Sequence, residues 1–135
     1  MAKKWVLLVD DDPSILMMLE DAIMHEQLSI TTATDAVQAF IQARDLKPIV
    51  IVTDINMPGA DGSTIYKRMR QDPNIPKVPI IFMTGMQLDK ARELFPREDK
   101  SIGLMQKPVN FDLIRDYIWK VAGIIPMAPP PGGKP

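Results

Sequence analysis

The stretch IVIVTDINMPGADG, residues 49–62, decides the fold because it joins a buried strand, a carboxylate and a turn in direct succession. Its apolar part is a continuous run of Val and Ile, which is typical of a strand buried on both faces of a parallel sheet. Asp54 ends this run, and the turn-forming residues Pro58 and Gly59 follow it. Ligands bind beyond the carboxyl ends of strands in open parallel sheets. Asp54 is therefore the first candidate for a functional residue.

Four other short apolar runs accompany this strand, at residues 5–9, 28–33, 78–84 and 102–106. Segments with helical spacing separate the runs. Their predicted core stripes are Ile15, Met18, Leu19, Ala22 and Ile23; Ala36, Ala39, Phe40 and Ala43; Ile65 and Met69; and Ile114, Tyr117, Ile118 and Val121. A short helix is also predicted at residues 88–95, where Pro96 ends it. Alternating strands and helices predict an α/β sandwich with right-handed crossovers.

Length and composition predict one domain at residues 1–124, followed by a flexible tail at residues 125–135. The chain has 135 residues, of which 46% are hydrophobic and 24% are charged, an ordinary balance for one globular domain. The tail is rich in Pro and Gly, so we predict a partly polyproline-II extension without a packed element. Its composition favours a disordered end over a Pro-rich ligand for another domain, which stays an alternative.

Charge and composition argue against several functional classes. The net charge of -1 gives no general attraction to nucleic acid or to an anionic membrane surface. The sequence has no cysteine, which excludes disulfides, thiolate metal ligands and a Cys nucleophile. Asp10 interrupts the N-terminal apolar run, which is too short for a signal peptide or a membrane span. We therefore expect a cytoplasmic protein with no nucleic-acid or membrane partner.

Polar side chains follow four of the five predicted strands. These residues are Asp10, Asp11 and Asp12 after the first strand, Asp54 after the third, Thr84 after the fourth and Lys107 after the fifth. Parallel strands end at one edge of the sheet, so we expect these groups to converge there. Taken singly, Asp12 before Pro13 is better interpreted as a helix N-cap, and each of the others has an ordinary turn or loop interpretation. Their joint occurrence favours a site.

The crowded carboxylates predict a bound cation. Two carboxylates about 4 Å apart repel each other by about 4 kcal/mol at an effective dielectric constant of about 20. Lys107 supplies one positive charge, and a divalent metal would supply the rest. Ligands made only of oxygen favour Mg²⁺. A carboxylate, a hydroxyl, an ammonium and Mg²⁺ suit phosphoryl transfer, with Asp54 as the nucleophile that forms an acyl phosphate.

The segments LLVDDDP (residues 7–13), DINMPGADG (54–62), MTG (83–85) and QKP (106–108) resemble the receiver domain of two-component response regulators. The resemblance covers residues 3–123. It implies a flavodoxin-like (βα)5 three-layer sandwich, with a parallel five-stranded sheet in the order 2-1-3-4-5. It also implies a phosphoryl group taken from a phosphohistidine on a histidine kinase or a histidine phosphotransfer protein.

The resemblance assigns a metal role to four residues of this chain. Asp54 would carry the phosphoryl group and contribute to the Mg²⁺ site. Asp11 would bind the ion directly, Asp10 through water, and Asn56 through its backbone carbonyl. The implied catalytic set is therefore Asp54 together with the residues that end the fourth and fifth strands.

Those two remaining residues have distinct implied roles. Thr84 would bond a phosphoryl oxygen, and Lys107 would pair with the carboxylate or the phosphoryl group. The resemblance further implies a cis peptide bond before Pro108. Phosphorylation and autodephosphorylation would both occur on the chain's own residue, so we do not expect a conventional enzyme.

The sequence departs from the family pattern at two places. Leu104 stands three residues before Lys107, where receivers usually carry Tyr or Phe, so the rotation of an aromatic ring cannot carry the output signal here. Residues 96–100 lack the common Gly-Ala turn, so the fourth helix is predicted to be short or mobile. We also expect a stand-alone response regulator, monomeric or weakly dimeric, that signals through altered protein–protein binding.

Several exposed-surface assignments stay open at the level of sequence. Leu16 and Met17 lie beside the core stripe of the first helix and could dock a histidine-bearing helix bundle or form the margin of the core. Trp119 lies off the stripe of the last helix and is predicted to pack against neighbouring loops rather than to mark a partner patch. His25 is the only histidine, and we interpret it as structural.

Two rival functions are considered. A haloacid-dehalogenase-type phosphatase would use Asp10 and Asp12 with Thr84 and Lys107, but that reading leaves Asp54 and its loop unexplained. A phosphorylation-independent receiver-like adaptor is the second rival. Leu104 favours the adaptor, whereas intact Asp54, Thr84 and Lys107 argue against it.

Overall fold

A computed structural model of the chain describes residues 3–124, in which five main strands and five helices alternate. The strands are β1 Lys4–Val9, β2 Leu28–Ala33, β3 Val50–Asp54, β4 Ile80–Thr84 and β5 Ile102–Gln106. The helices are α1 Pro13–Ile23, α2 Ala36–Leu46, α3 Gly62–Gln71, α4 Leu88–Arg92 and α5 Phe111–Ala122. A short antiparallel ribbon also pairs Asn56–Met57 with Ala60–Asp61.

The five strands form one parallel sheet in the order β2-β1-β3-β4-β5. This order confirms the predicted flavodoxin-like arrangement. The first four residues of the central strand β3 are buried, as its continuous Val and Ile run predicts, and its last residue, Asp54, is half-buried. Because all strands run in one direction, their carboxyl ends and the loops that follow them share one edge of the sheet.

Two hydrophobic cores lie on opposite faces of the sheet, which makes the fold a three-layer sandwich. On one face, Leu7, Ile51 and Phe82 pack with Phe40 of α2 and Met69 of α3. On the other face, the core joins strand residues to α1 and α5, and it contains Val6, Leu8, Val52, Leu19, Ile23, Ile114 and Ile118. Within residues 3–124, no helix is long and apolar enough to cross a membrane.

The predicted core stripes of α1 and α5 are wrong at two positions. Met18 is 50% exposed and Tyr117 is also exposed, whereas Leu16 is buried. The helix α1 begins at Pro13 and turns Leu16, Leu19 and Ile23 toward the sheet, an i, i+3, i+7 stripe that leaves Met18 outside. The sequence shows a broad apolar arc on each helix, and the direction of the sheet decides which part of that arc is covered.

The predicted fourth helix is also wrong at its C-terminal end, because α4 stops at Arg92 rather than at Phe95. Three bonds of the i to i+3 type follow it: the N–H groups of Glu93, Leu94 and Phe95 donate to the carbonyls of Lys90, Ala91 and Arg92. A tight turn of this kind carries Phe95 back into the core, where it is buried.

Trp119 and His25 have structural roles, in agreement with the predictions for both residues. The Trp119 indole Nε1–H donates to the Ile23 carbonyl at 2.8 Å, and its ring meets that of His25 edge-on at a centroid distance of 5.2 Å. His25 Nδ1 accepts from the Gln27 N–H at 3.0 Å. These contacts join the ends of α1 and α5. The tail at residues 125–135 lies outside the described residues.

The first residue of α3, Gly62, sets how closely the loop after Asp54 can pack. A Cβ added at Gly62 would lie 2.5 Å from Ile55 Cγ1 and 3.0 Å from the Ile55 carbonyl oxygen. The first distance is shorter than a methyl group allows and the second is very tight, and Ile55 is buried. Glycine at this position therefore allows the loop to close against α3.

We expect Gly62→Ala to lower the free energy of unfolding by about 1–3 kcal/mol, the usual cost of overpacking a filled site. Urea unfolding measures the change. Gly85→Ala is the matched control because, apart from its two chain neighbours, no residue of the described chain has an atom within 4 Å of a Cβ added there. Equal stability of the two variants would contradict the steric argument.

Candidate functional site

Three carboxylates meet at the carboxyl edge of the sheet. Asp10, Asp11 and Asp54 each place one carboxylate oxygen within 4.8 Å of the others. The register of the sheet explains this, because Val9 of β1 pairs with Thr53 of β3 and the residues that follow the pair are Asp10 and Asp54. Asp10 is only 1% exposed, Asp54 is half-buried and Asp11 is exposed. The predicted convergence of these carboxylates is present.

Lys107 lies between two of these carboxylates. Its Nζ is 3.4 Å from Asp10 Oδ2 and 3.4 Å from Asp54 Oδ2. The Lys107 backbone N–H donates to the Thr84 carbonyl at 2.7 Å, which extends the pairing of β4 and β5 by one residue. The Lys107–Pro108 peptide bond is cis, as the resemblance implies. A single ammonium group is thus shared by two carboxylates of different strands.

Burial and neighbouring charges shift the pKa values in this cluster. Burial raises the pKa of Asp10 above its ordinary value, although the Asp12 backbone N–H and the Lys107 charge partly oppose the rise. Burial lowers the pKa of Lys107, but attraction to Asp54 and Asp10 outweighs it and leaves that pKa raised. Lys107 is therefore charged at neutral pH. Three carboxylates with one ammonium leave a negative site that is suited to a cation.

Thr84 is fully buried at the end of β4. Asp54 pairs with Met83 in the sheet, so Thr84 lies one residue beyond the position opposite Asp54. The Thr84 Oγ1 accepts from the Met86 N–H at 2.9 Å. The sequence analysis did not predict this contact with Met86, although Ser and Thr hydroxyls often form a turn by accepting from the N–H two residues later.

Two further predicted residues lie at the margin of the cluster. The Asn56 N–H donates to Asp54 Oδ1 at 3.4 Å, and the Asn56 side chain is exposed. Asp12 is not one of the clustered carboxylates. Its side chain caps α1, because Oδ1 accepts from Ser14 N at 2.9 Å and from Ser14 Oγ at 2.6 Å. These hydrogen bonds from Ser14 lower the pKa of Asp12. The interpretation of Asp12 as an N-cap is confirmed.

The geometry combines a half-buried carboxylate, a partly exposed ammonium, a buried hydroxyl and an acidic cluster that suits a hard cation. Phosphoryl transfer needs such a set because it depends on positioning and on stabilisation of negative charge. No other carboxylate or histidine group of residues 3–124 reaches this density of potential metal ligands. The edge formed by Asp10, Asp11, Asp54, Thr84 and Lys107 is therefore the candidate functional site.

Comparison with known proteins identifies the family. Residues 6–118 match the response regulator receiver domain model. The chain is 34% identical over 106 residues to the response regulator PleD of Caulobacter vibrioides, an alignment that covers 78% of this chain and 23% of PleD. It spans less than half the length of curated relatives such as PleD and the Staphylococcus aureus regulator KdpE.

Solved structures share the fold. The chemotaxis response regulator CheY4 of Vibrio cholerae is 25% identical and superposes with a TM-score of 0.75, covering 88% of this chain and 98% of CheY4. The receiver domain of the sensor histidine kinase PA1611 of Pseudomonas aeruginosa, with a magnesium ion in its active site cleft, is 23% identical with a TM-score of 0.72 over 90% of this chain and 99% of that domain. On the match over residues 6–118, this chain belongs to the response regulator receiver domain family.

Proposed function

We propose that the chain accepts a phosphoryl group on Asp54 in a Mg²⁺-dependent reaction and signals through altered binding to a protein partner. The observation that carries the proposal is the convergence of Asp10, Asp11 and Asp54 around the Lys107 ammonium. Membership of the receiver family supports it, since phosphoryl acceptance is the general function of that family. The acceptor is a residue of the chain itself, so the proposal is not of a conventional enzyme.

The donor set fits Mg²⁺. Three carboxylate oxygens lie within 4.8 Å of one another, and one Lys leaves their charge incompletely balanced. Magnesium is bound in proteins by a few carboxylate oxygens and keeps several waters. Asp10, Asp11, Asp54 and the Asn56 carbonyl would hold it, and the magnesium ion in the PA1611 receiver supports the assignment. The bound ion would neutralise charge on the carboxylates and on the phosphoryl oxygens.

The residues of the chain then have separate tasks. A carboxylate oxygen of Asp54 forms a bond to phosphorus while the bond from phosphorus to the donor nitrogen or oxygen breaks and the donor leaves. The Lys107 Nζ already lies 3.4 Å from an Asp54 oxygen and can follow the new negative charge. The Met86 N–H occupies an acceptor position of the Thr84 hydroxyl. The Thr84 proton therefore stays available to donate to a phosphoryl oxygen.

The proposed donor partner is a histidine kinase or a histidine phosphotransfer protein. Met17 on α1 is 65% exposed and Leu113 on α5 is 57% exposed. Met17 lies five residues after the N-cap Asp12, and Leu113 lies three residues after the N-cap Asn110, so both are in the part of their helix that is nearest to the site. A histidine-bearing helix that brings phosphohistidine to Asp54 would cover these apolar side chains. Leu16 is not part of this docking surface, because it is buried.

Intact-mass measurement after incubation with acetyl phosphate tests the proposal. We expect a single phosphoryl adduct in the presence of Mg²⁺ and its loss when a chelator removes the metal, because the acidic cluster repels an incoming phosphoryl group when no metal is bound. Adduct formation that is equal with and without chelator would contradict the metal requirement. Absence of an adduct under both conditions would contradict phosphoryl acceptance from a small donor.

A phosphorylation-independent adaptor is the second candidate, and Leu104 is the observation that favours it. Leu104 is only partly buried and offers no aromatic ring on β5. The two functions differ in the role of Asp54. An adaptor would bind its partner equally well as wild type and as Asp54→Asn, whereas a phosphorylation switch would show an adduct-dependent affinity in wild type alone.

A further inference from the structure

An aromatic stack joins β4 to the turn that follows α4. The rings of Phe82 and Phe95 lie 4.4 Å apart between centroids at an interplanar angle of 24°. Phe82 is fully buried, and Phe95 is nearly so. Tyr66 of α3 adds an edge-on contact to Phe95 at 5.7 Å and 67°. The stack therefore connects three elements inside the core on one face of the sheet.

One member of this stack is directly linked to the candidate site. Phe82 and Thr84 lie two residues apart on β4, so their side chains point to the same face of the sheet. Phe82 also pairs in register with Leu104 of β5, which packs against the same core. An aromatic ring is thus present beside the site, but it belongs to β4 and not to β5. Any displacement of Thr84 acts on the strand that carries Phe82.

The helix α4, which lies between Thr84 and Phe95, is short and has no side-chain cap at its N-terminus in the described part of the chain. It has five helical residues, and its N-cap Gln87 makes no side-chain capping hydrogen bond within the described chain. Helices this short depend on tertiary contacts for their stability. A cleft of about 930 Å³ lies beside α4, and Leu88, Arg92, Phe95 and Leu104 are among the residues that line it. Among residues 3–124, the helix therefore has an N-terminus without a side-chain cap and free space beside it.

The turn beyond Phe95 is anchored by hydrogen bonds to Asp99. Asp99 Oδ2 accepts from Tyr66 Oη at 2.8 Å and from Arg70 Nε at 3.0 Å. Arg70 Nη1 further donates to the Val78 carbonyl at 2.8 Å. The segment at residues 85–95 is therefore held at one end by β4 and at the other by Asp99. Movement of α4 between these two points has to be accommodated at the Phe82–Phe95 stack.

We infer that Phe95 is a positioning residue that couples α4 to Thr84 through its stack on Phe82. Phosphorylation of Asp54 then changes the order of residues 88–95 by way of β4, without an aromatic ring at position 104. The inference rests on the proposed phosphoryl acceptance by Asp54. Coupling between two sites is reciprocal, so the packing of α4 also affects how readily Thr84 meets the phosphoryl group.

Hydrogen exchange with and without acetyl phosphate and Mg²⁺ tests the coupling, with the phosphoryl occupancy read from the intact mass of each sample. In wild type we expect the exchange rates of amides 88–95 to change about fivefold or more on phosphorylation, the lower end of typical coupling. In Phe95→Leu, compared at equal occupancy, most of that change should be lost. Phe40→Leu is the matched control, because it removes a buried aromatic ring from the same core, but one that belongs to α2.

Each outcome bears on the inference. Loss of the exchange response in Phe95→Leu, with the response retained in Phe40→Leu, supports it. An unchanged response in Phe95→Leu, or a phosphorylated wild type without a response at residues 88–95, overturns it. Phe82→Leu removes the other ring and should show the same loss, so it decides the question if Phe95→Leu does not fold. A wild type without any adduct contradicts the proposed function itself and is recognised from the mass alone.

Discussion

The Asp54→Asn variant should carry no phosphoryl adduct under conditions in which acetyl phosphate and Mg²⁺ label the wild-type chain. The amide matches the carboxylate in size but has no anionic oxygen to attack phosphorus. Lys107 keeps its contact with Asp10 in the variant, since the ammonium lies 3.4 Å from each carboxylate in the wild type. The fold should therefore persist while the reaction is abolished completely. Intact mass at several incubation times measures the loss.

Asp12→Asn is the matched control for this prediction. Asp12 follows the acidic cluster in sequence, but its side chain caps α1 through Ser14. Asparagine caps helices about as well as aspartate, so the change removes one nearby charge and preserves the helix. We expect this variant to be labelled. Labelling of Asp54→Asn to the wild-type extent would show that another residue accepts the phosphoryl group and would remove the basis of the proposed function.

Removal of the Asp54 charge should also leave the protein at least as stable as wild type. The three carboxylates of the cluster repel one another, and burial already raises the pKa of Asp10. Loss of one charge relieves this repulsion, so the site is a place where function opposes stability. A variant that is both stable and unlabelled separates a chemical defect from misfolding.

The sequence predicted the acidic edge well because that edge follows from strand direction alone. Once residues 5–9 and 49–53 are identified as parallel neighbours, Asp10 and Asp54 must end beside each other, and the register of Val9 with Thr53 confirms it. Asp12 was also predictable, since a carboxylate before a proline and a helix is a common N-cap. These inferences use local patterns together with one rule of topology.

Side-chain exposure was harder to predict because it depends on the direction of a helix toward the sheet. Met18 and Tyr117 belong to apolar arcs in the sequence, yet both are exposed in the structure. The contact of Arg70 with Asp99 joins residues 29 positions apart, and the stack of Phe82 with Phe95 crosses a short helix. Such pairs arise from the packing of distant segments, and the local sequence pattern does not specify them.

The Asp99 contacts form a partly buried polar network outside the acidic cluster. Arg70 and Asp99 make an ion pair at 3.0 Å with side chains that are 12% and 18% exposed. Asp99 also accepts from the Ser101 backbone N–H at 2.9 Å and from the Tyr66 hydroxyl. Burial alone would raise the pKa of Asp99, but hydrogen bonds from Ser101, Tyr66 and Arg70 outweigh it and hold that pKa well below its ordinary range.

We therefore expect Asp99→Asn to lower the free energy of unfolding at pH 7 by about 2–3 kcal/mol. Loss of one partner from a fully buried ion pair costs about 3–5 kcal/mol, and the remaining exposure of Asp99 reduces that figure. The amide keeps the shape of the side chain but leaves the Arg70 charge without its counter-charge. Urea unfolding measures the difference. Glu98→Gln is the control, because it removes an exposed carboxylate from the same loop and should change stability by less than about 0.5 kcal/mol.

The pH dependence of this difference tests its electrostatic origin. Because the folded pKa of Asp99 is depressed, its contribution is complete above the unfolded pKa of about 4 and is lost as the pH falls toward the folded pKa. The stability gap between wild type and Asp99→Asn should therefore be constant from about pH 7 to 5 and should narrow below about pH 4. A gap that stays the same at pH values below about 4 would show that the variant loses packing rather than charge. In that case the anchor beyond Phe95 would depend on the shape of the Asp99 side chain.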